Sequence, residues 1–421
     1  MVTSLTPADL AAIDARLSTT DDLLRTAYPG DDGSRQPVHT VYVPADRFTP
    51  ELATVWRRTV RDAVDDAGGL DAVASLIGLD AALASDVVPR VREKLAVEPI
   101  EDLRIDFEDG YGDHGDEAED AEAMRAAKRV AAAAGAGFAP PFIGIRFKSL
   151  EAATRARGIR TLDLFIGTLM EHGGLPEGLA LTLPKVSTVA QVEAAAEVMT
   201  VLERAHGLPH GRLRFEVQVE TPQLVLGVYG SSPVAQLALA VPGRISGLHY
   251  GTYDYSAALG IAARYQSMEH PAADLAKGIM QLAAAGTGIR LSDGSTNILP
   301  VGRRTADAWR LHARLVRRSL ERGFFQGWDL HPNQLVTRYL ATYAFYREGW
   351  PEASERLRDA RRGTATGAVL DEPATVRALA GFVLRGVRCG AISADEVADA
   401  TGIDEATLVA LAHPTRHQEA T

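Results

Sequence analysis

The chain has 421 residues, 46% of them hydrophobic, a net charge of −11 and a single cysteine, Cys389. That content supports one large α/β barrel or two ordinary domains and excludes global disorder. The acidic balance argues against a general binder of nucleic acid or anionic membrane, and the lone cysteine excludes an intrachain disulfide and a cysteine-built metal site.

Residues 1–35 read as a helical leader that ends in the loop "YPGDDGSRQP". The opening "MVTSLTPADLAAIDARL" carries acids and no long apolar core, so it is not a secretory signal. No stretch has the uninterrupted apolar length that a membrane span needs, and a soluble cytoplasmic protein is expected. Short β-rich runs then recur: "HTVYVPA" (39–45), "LRIDFED" (103–109), "PFIGIRF" (141–147) and "LALTLPK" (179–185). They continue with "LRFEVQVE" (213–220), "RISGLHYG" (244–251), "GIRLSDG" (288–294) and "FFQGWDLHP" (324–332). Helical stretches rich in Ala, Leu, Glu and Arg lie between them, such as "STVAQVEAAAEVMTVLERAHG". Strand–helix alternation implies parallel strands joined by crossovers. The fold expected is therefore α/β, a (β/α)8 TIM barrel over 36–350 with the N-terminal helical leader before it and a C-terminal helical extension after it. An open doubly wound sheet competes, but it usually shows a glycine-rich first turn, and "YVPADRF" has none.

After Trp350-Pro351 the pattern is helical through 351–421, with a break at "RRGTATGAVLDEP". The piece "ISADEVADATGIDEATLVAL" has the cadence of a helix–turn–helix, yet acids outnumber bases from Asp371 to Leu411. Groove binding needs phosphate contacts, so a packing or lid appendage is the better reading.

Reactive residues of such a barrel gather where strands end and loops begin. The ionisable residues at those ends are Asp106, Glu108, Asp109, Arg146, Lys185, Glu220, Asp254, Asp293, Asp329 and His331. In "LRFEVQVETPQ", Phe215, Val217 and Val219 alternate with Glu216, Gln218 and Glu220. In a closed barrel that polar row lines the interior and places Glu220 at the mouth. Glu220 and Asp254, on adjacent units, make a site for Mg²⁺ or Mn²⁺, hard ions that need few protein ligands. Taken singly, Glu220 as a helix cap and Asp254 as an arginine partner would be the plainer readings; their matched positions favour the metal. Arg146 ends an otherwise apolar strand, where it meets either a carboxylate (Asp106 or Glu108) or a substrate anion. Lys185 is a point charge or structural pair in preference to a Schiff-base nucleophile. His331 is more often a hydrogen-bonding brace than a base, and Cys389 reads as a small buried apolar residue.

The runs "RIDFEDGYG", "GIRF", "LTLPK", "VQVETPQ", "HYGTYDYSAALG" and "FFQGWDLHPNQL" together resemble, in order and spacing over about 38–345, the HpcH/HpaI aldolase and citrate lyase β-subunit-like family. The resemblance implies a Mg²⁺-dependent carbon–carbon lyase or aldolase on a (β/α)8 barrel. Glu220 and Asp254 would be its metal ligands and Arg146 the guanidinium that meets substrate oxygens, with Asp106, Glu108 and Asp109 an acidic motif near the metal and its waters. The expected substrate-binding set is Arg146, Lys185, Asp106 and Glu108.

Three departures bear on the substrate. Relatives acting on coenzyme A thioesters carry basic residues beside strand one and after the second-strand motif; here stand His39 and the acidic "GYGDHGDEAEDAE". An acidic loop should repel coenzyme A phosphates. The family-like lysine after the last strand's glycine is replaced by Trp328, and Asp109 stands where free-acid aldolases tend to have histidine.

The reading is an aldolase or lyase for a small 2-oxo or hydroxy acid, with Asp109, a metal-bound water and His331 as candidate bases. An acyl-coenzyme A lyase of the malyl, citramalyl or citryl type is the alternative. A non-catalytic barrel with a binding or regulatory role is a third, against which the full Arg–Glu–Asp set argues. The partners expected are a small carboxylic acid and further copies of the chain, with no nucleic acid and no membrane.

Overall fold

The computed structural model describes residues 4–362 and 372–413. Helix α1 (Pro7–Ala27) starts at a capping box in which Thr6 and Asp9 satisfy each other's backbone N–H groups. The chain then enters β1 (His39–Pro44), followed by α2 (Leu52–Asp66), α3 (Leu70–Leu76) and α4 (Ala81–Val97). Single units follow: β2 (Asp102–Asp106) with α5 (Asp116–Gly135), β3 (Phe142–Arg146) with α6 (Arg155–Glu171), and β4 (Leu179–Leu183) with α7 (Val189–Ala205). Next come β5 (Phe215–Val219) with the short α8 (Pro222–Val225) and α9 (Leu237–Ala240), and β6 (Ile245–Tyr250) with α10 (Thr252–Ala258) and α11 (Pro271–Ala284). Last are β7 (Arg290–Ser292) with α12 (Thr305–Glu321), and β8 (Gly327–Asp329) with α13 (Gln334–Arg362).

All eight strands pair in parallel in the order β7-β6-β5-β4-β3-β2-β1-β8. A parallel bridge from Ser292 to Gln326 brings the two ends together, so the sheet is a (β/α)8 barrel. The strands lie where the apolar runs predict them, trimmed at their ends. The outward-facing Phe215, Val217 and Val219 are fully buried in the layer beneath the helices, as the alternation in β5 requires.

Helix α13 runs on through Pro351, so the last barrel helix and the start of the extension are one element. An interior proline costs a helix about 3 kcal/mol, which the burial of Trp350, Ala353 and Leu357 offsets. The break expected at 361–373 lies largely outside the described residues. Beyond it, α14 (Pro373–Cys389), α15 (Ala394–Thr401) and α16 (Glu405–Ala412) add Val383, Val397 and Leu408 to the main core, with Ile392 from the turn between the first two. Glu396 at the start of α15 binds Arg90 of α4 and Arg347 of α13, which fits a packing role. Among the described residues no helix is long and apolar enough to cross a membrane.

Candidate active site

The inward face of this barrel is ionic, whereas most such barrels are filled by Val, Ile and Leu. Asp102, Arg104 and Asp106 alternate with Leu103 and Ile105 along β2, facing Glu216 and Gln218 of β5. Arg104 is fully buried and bonds Asp102 on its own strand and Glu216 Oε2 at 2.7 Å. Thr182 of β4 donates to the same oxygen at 3.0 Å, and His249 of β6 lies 3.2 Å from the other. Burial opposes the charge on Glu216, but Arg104 and His249 outweigh it and hold the carboxyl well below its usual range. This layer is a satisfied ionic floor.

Arg146 forms the next layer. Its Nε and Nη2 each lie 2.7 Å from an oxygen of Asp106, a two-pronged pair, and its guanidinium stacks 4.9 Å from the Tyr42 ring centroid. The remaining Nη1 has Gln218 and Glu108 at 3.4 Å. Asp106 is itself fixed by the N–H groups of Glu108 and Gly110 at 3.1 and 2.8 Å. Gly110 has to be glycine here, because a Cβ would fall 2.5 Å from Asp106 Oδ2.

Lys185 stands at the mouth in the left-handed region, φ 52°, the one non-glycine to do so among the described residues. That turn aims its N–H at Glu220 Oε1, 2.6 Å away, and its Nζ into a ring of carboxylates. Nζ lies 2.7 Å from Glu108, 2.9 Å from Asp109 and 3.9 Å from Asp254. Burial works against the ammonium, but Glu108 and Asp109 outweigh it and raise the lysine pKa. A Schiff-base lysine needs the opposite shift. Burial opposes the Asp109 charge as well, yet the bond from Lys185 leaves its pKa lowered. Glu220 is completely buried; that burial, with the charge of Asp254 added, pushes its carboxyl up to about 8 despite Arg146 and Lys185.

The structure thus brings together Asp106, Glu108, Asp109, Arg146, Lys185, Glu220 and Asp254. His331 stands apart at the foot of α13. Its Nδ1 accepts the Asn333 N–H at 3.1 Å, which puts the ring proton on Nε2, and none of its hydrogen bonds among the described residues reaches the cluster. Asp293 and Asp329 turn away to pair with Lys277 and with His312 and Arg338. Sequence reasoning missed Arg104, Tyr42 and His249. For Arg104 the signal was present, since "DLRID" alternates as β5 does.

The acidic stretch after β2 also needs correcting. Glu119 binds Lys148 at 2.6 Å, Glu122 is buried against Arg125 and Arg129, and Asp120 pairs with Arg157 and Arg160. Much of the charge expected to repel phosphates is cancelled inside the protein.

Among the described residues no three His, Cys, Asp or Glu side chains form a preassembled metal cage. The donor set nevertheless suits a hard dication, which keeps most of its waters and takes one or two carboxylates from the protein. Positive charge is already demanded at this spot, as Lys185 shows. The place of Glu220 is fixed as well: a Cβ at Gly251 would lie 2.4 Å from Glu220 Cβ and 2.7 Å from its Oε2, so only glycine there lets this carboxylate sit where it does.

A family described as "Domain of unknown function (DUF6986)" matches residues 17–416. No curated protein matches the chain. Among solved structures, Haloferax volcanii malate synthase, native at 3 mM glyoxylate, is 17% identical with a TM-score of 0.51, covering 90% of this chain and 97% of that one. The lead(II) complex of the same enzyme gives 16%, 0.50, 91% and 90%. Protein CitE from Mycobacterium tuberculosis, with magnesium, acetoacetate and coenzyme A, is 18% identical with a TM-score of 0.49, covering 85% and 99%. At such identities the likeness is one of fold, and that fold is the one implied by the resemblance to the HpcH/HpaI and citrate lyase β-subunit-like family.

Proposed function

We propose that this chain, which belongs to the DUF6986 family, is a Mg²⁺-dependent carbon–carbon lyase of the aldolase type acting on a small 2-oxo or hydroxy acid. The observation that carries the reading is the meeting of Glu220 and Asp254, from neighbouring strand ends, at a cation-demanding spot above the buried Arg146. Glu220 and Asp254 are the proposed metal ligands, for Mn²⁺ as well as Mg²⁺. Bound there, the ion supplies Lewis-acid stabilisation of charge developing on the 2-oxo acid. A malate synthase of the same fold studied at 3 mM glyoxylate supports a small oxo acid as the ligand class.

The protein's own residues divide the remaining work. Asp106 holds one edge of the Arg146 guanidinium, which leaves Nη1 to meet a substrate oxygen and the negative charge that grows there. Glu108 and Asp109 hold the Lys185 ammonium in reach of the same anion. In cleavage a base takes the hydroxyl proton and the carbon–carbon bond breaks. Its electron pair passes to the 2-oxo acid as an enolate, which is then protonated. Asp109 is the proposed base: it is anionic, half-exposed and within the cluster, and Lys185 must release one of its oxygens for it to act, whereas His331 stands outside the cluster.

One observation favours a second reading, the acyl-coenzyme A lyase. The internal pairing of Glu119, Asp120 and Glu122 removes much of the charge objection to coenzyme A phosphates.

A panel of hydroxy acids, assayed for release of pyruvate, oxaloacetate or glyoxylate with and without chelator, tests the activity. Calorimetry with Mn²⁺ tests the ligands. Glu220→Gln and Asp254→Asn should each abolish metal binding with the circular dichroism unchanged; unaltered affinity in both would sink the assignment. Micromolar binding of acetyl-coenzyme A would promote the second reading.

A further inference from the structure

Helix α1 is exposed along its whole length up to Thr26. Leu10, Ile13, Leu17 and Leu24 fall at heptad spacing on one side of it, 50, 45, 46 and 52% exposed. Most helical stability in proteins comes from packing an apolar face, and such a stripe normally has a partner. Asp14 and Asp21 run beside the stripe, and the helix carries four aspartates against two arginines. It is an acidic arm that carries one apolar stripe.

A groove of about 630 Å³ between α2 and α4 has the complementary character. Val60, Leu70 and Leu95 lie in it, beneath Arg57, Arg58, Arg61 and Arg92, with Asp65 the one acid among its lining residues. In a chain of net charge −11 this concentration of arginine is unusual. Arg57 donates to the Ala96 carbonyl at 2.7 Å, but the others have weak partners: Arg61 reaches only the adjacent Asp62 at 3.1 Å, both well exposed, and Arg92 lies 3.8 Å from the exposed Asp71. Arg58 makes no ion pair among the described residues.

We propose that the groove between α2 and α4 receives the α1 arm of a second copy of this chain. The apolar stripe meets the apolar floor, and Asp14 and Asp21 meet the arginine wall, a helix-in-groove contact. The arm does not use its own groove. It is rooted beside β7, where the Gly30 N–H binds Gly286 O at 2.8 Å and Tyr28 packs on Gly286, and it points into solvent from there. Reciprocal exchange closes a two-fold dimer. Each arm would cover on the order of 400 Å² and as much again on its receiver, so two such contacts approach the roughly 1,600 Å² of a stable interface.

Light scattering of the full-length protein at micromolar concentration should give twice the chain mass. Leu10→Glu/Leu17→Glu and Arg58→Glu/Arg61→Glu should each give monomer with the circular dichroism of the body retained. Joining Asp14→Arg/Asp21→Arg to the arginine reversals should restore the dimer. Because the single native cysteine is buried, Leu17→Cys/Arg58→Cys should cross-link between chains under oxidation. A monomeric wild type, a dimer untouched by either pair of changes, or a cross-link confined to one chain would each overturn the proposal.

Discussion

Gly251 shows how one absent side chain can make room for a candidate ligand. Glu220 occupies the space its Cβ would need, with 2.4 Å to Glu220 Cβ and 3.4 Å to its Cα, so a methyl group meets backbone as well as side chain. The backbone there, at φ −95°, accepts any residue, so the conflict is purely one of volume. Gly251→Ala should therefore displace the Glu220 carboxylate. Overpacking of this kind costs about 1–3 kcal/mol of stability, and a displaced ligand should weaken Mn²⁺ binding by about ten-fold or more, about 1.4 kcal/mol. Gly278, where an added Cβ meets nothing within 4 Å, supplies the control. Calorimetry and thermal melts on both variants check this; equal metal affinity in Gly251→Ala and wild type would separate Glu220 from cation binding.

At the scale of elements, the inward faces of β2 and β5 are held by one guanidinium. Arg104→Leu would leave Asp102 and Glu216 buried with no arginine between them, and breaking a buried pair in this way costs about 3–5 kcal/mol. Denaturant unfolding should show that loss, and a drop under 1 kcal/mol would mean that the interior is wetter than its burial indicates. These strands also show what can be read from sequence. The polar row of β5 follows from its period of two, and "DLRID" offers the same alternation for β2. Which residues meet across the barrel is another matter. Arg104 reaches Glu216 through the stagger of the closed sheet, and Tyr42 reaches Gln218 across the interior, so neither contact is local in sequence. The pairing of the acids at the start of α5 is hidden for the same reason, because Lys148 approaches from beyond the end of β3 and Arg157 and Arg160 from α6. The sequence divides barrel from extension at Trp350-Pro351, whereas α13 runs on through that point, held by the tertiary burial of Trp350 and Leu357.

On the scale of the whole molecule, one buried carboxylate gathers the end of the leader, α4, β1 and α13 beneath the barrel, besides the tie that Gly30 makes to Gly286. Glu101 accepts the Val38 N–H at 2.8 Å and pairs with Lys94 at 2.6 Å and Arg35 at 2.9 Å, while its own N–H goes to His39 Nε2 at 3.0 Å. Lys94 lies 5.5 Å over the Tyr339 ring of α13, so leader, α4, β1 and α13 all meet here. Burial alone would raise the Glu101 pKa, but Lys94 and then Arg35 outweigh it and hold it at about 2, against 4.5 ordinarily. Because the folded value is the lower one, the stabilisation is complete above about pH 4.5 and is lost as pH falls through 2. A shift of that size corresponds to about 3 kcal/mol. Other acids titrate over the same range, so the informative quantity is the difference between wild type and Glu101→Gln. Glutamine keeps an oxygen for the Val38 N–H but gives up the charge. In urea titrations the gap between the two proteins should be about 3 kcal/mol near pH 6 and should close toward zero near pH 2. A gap that does not change with pH would show that shape, and not charge, makes Glu101 a tie between leader and barrel.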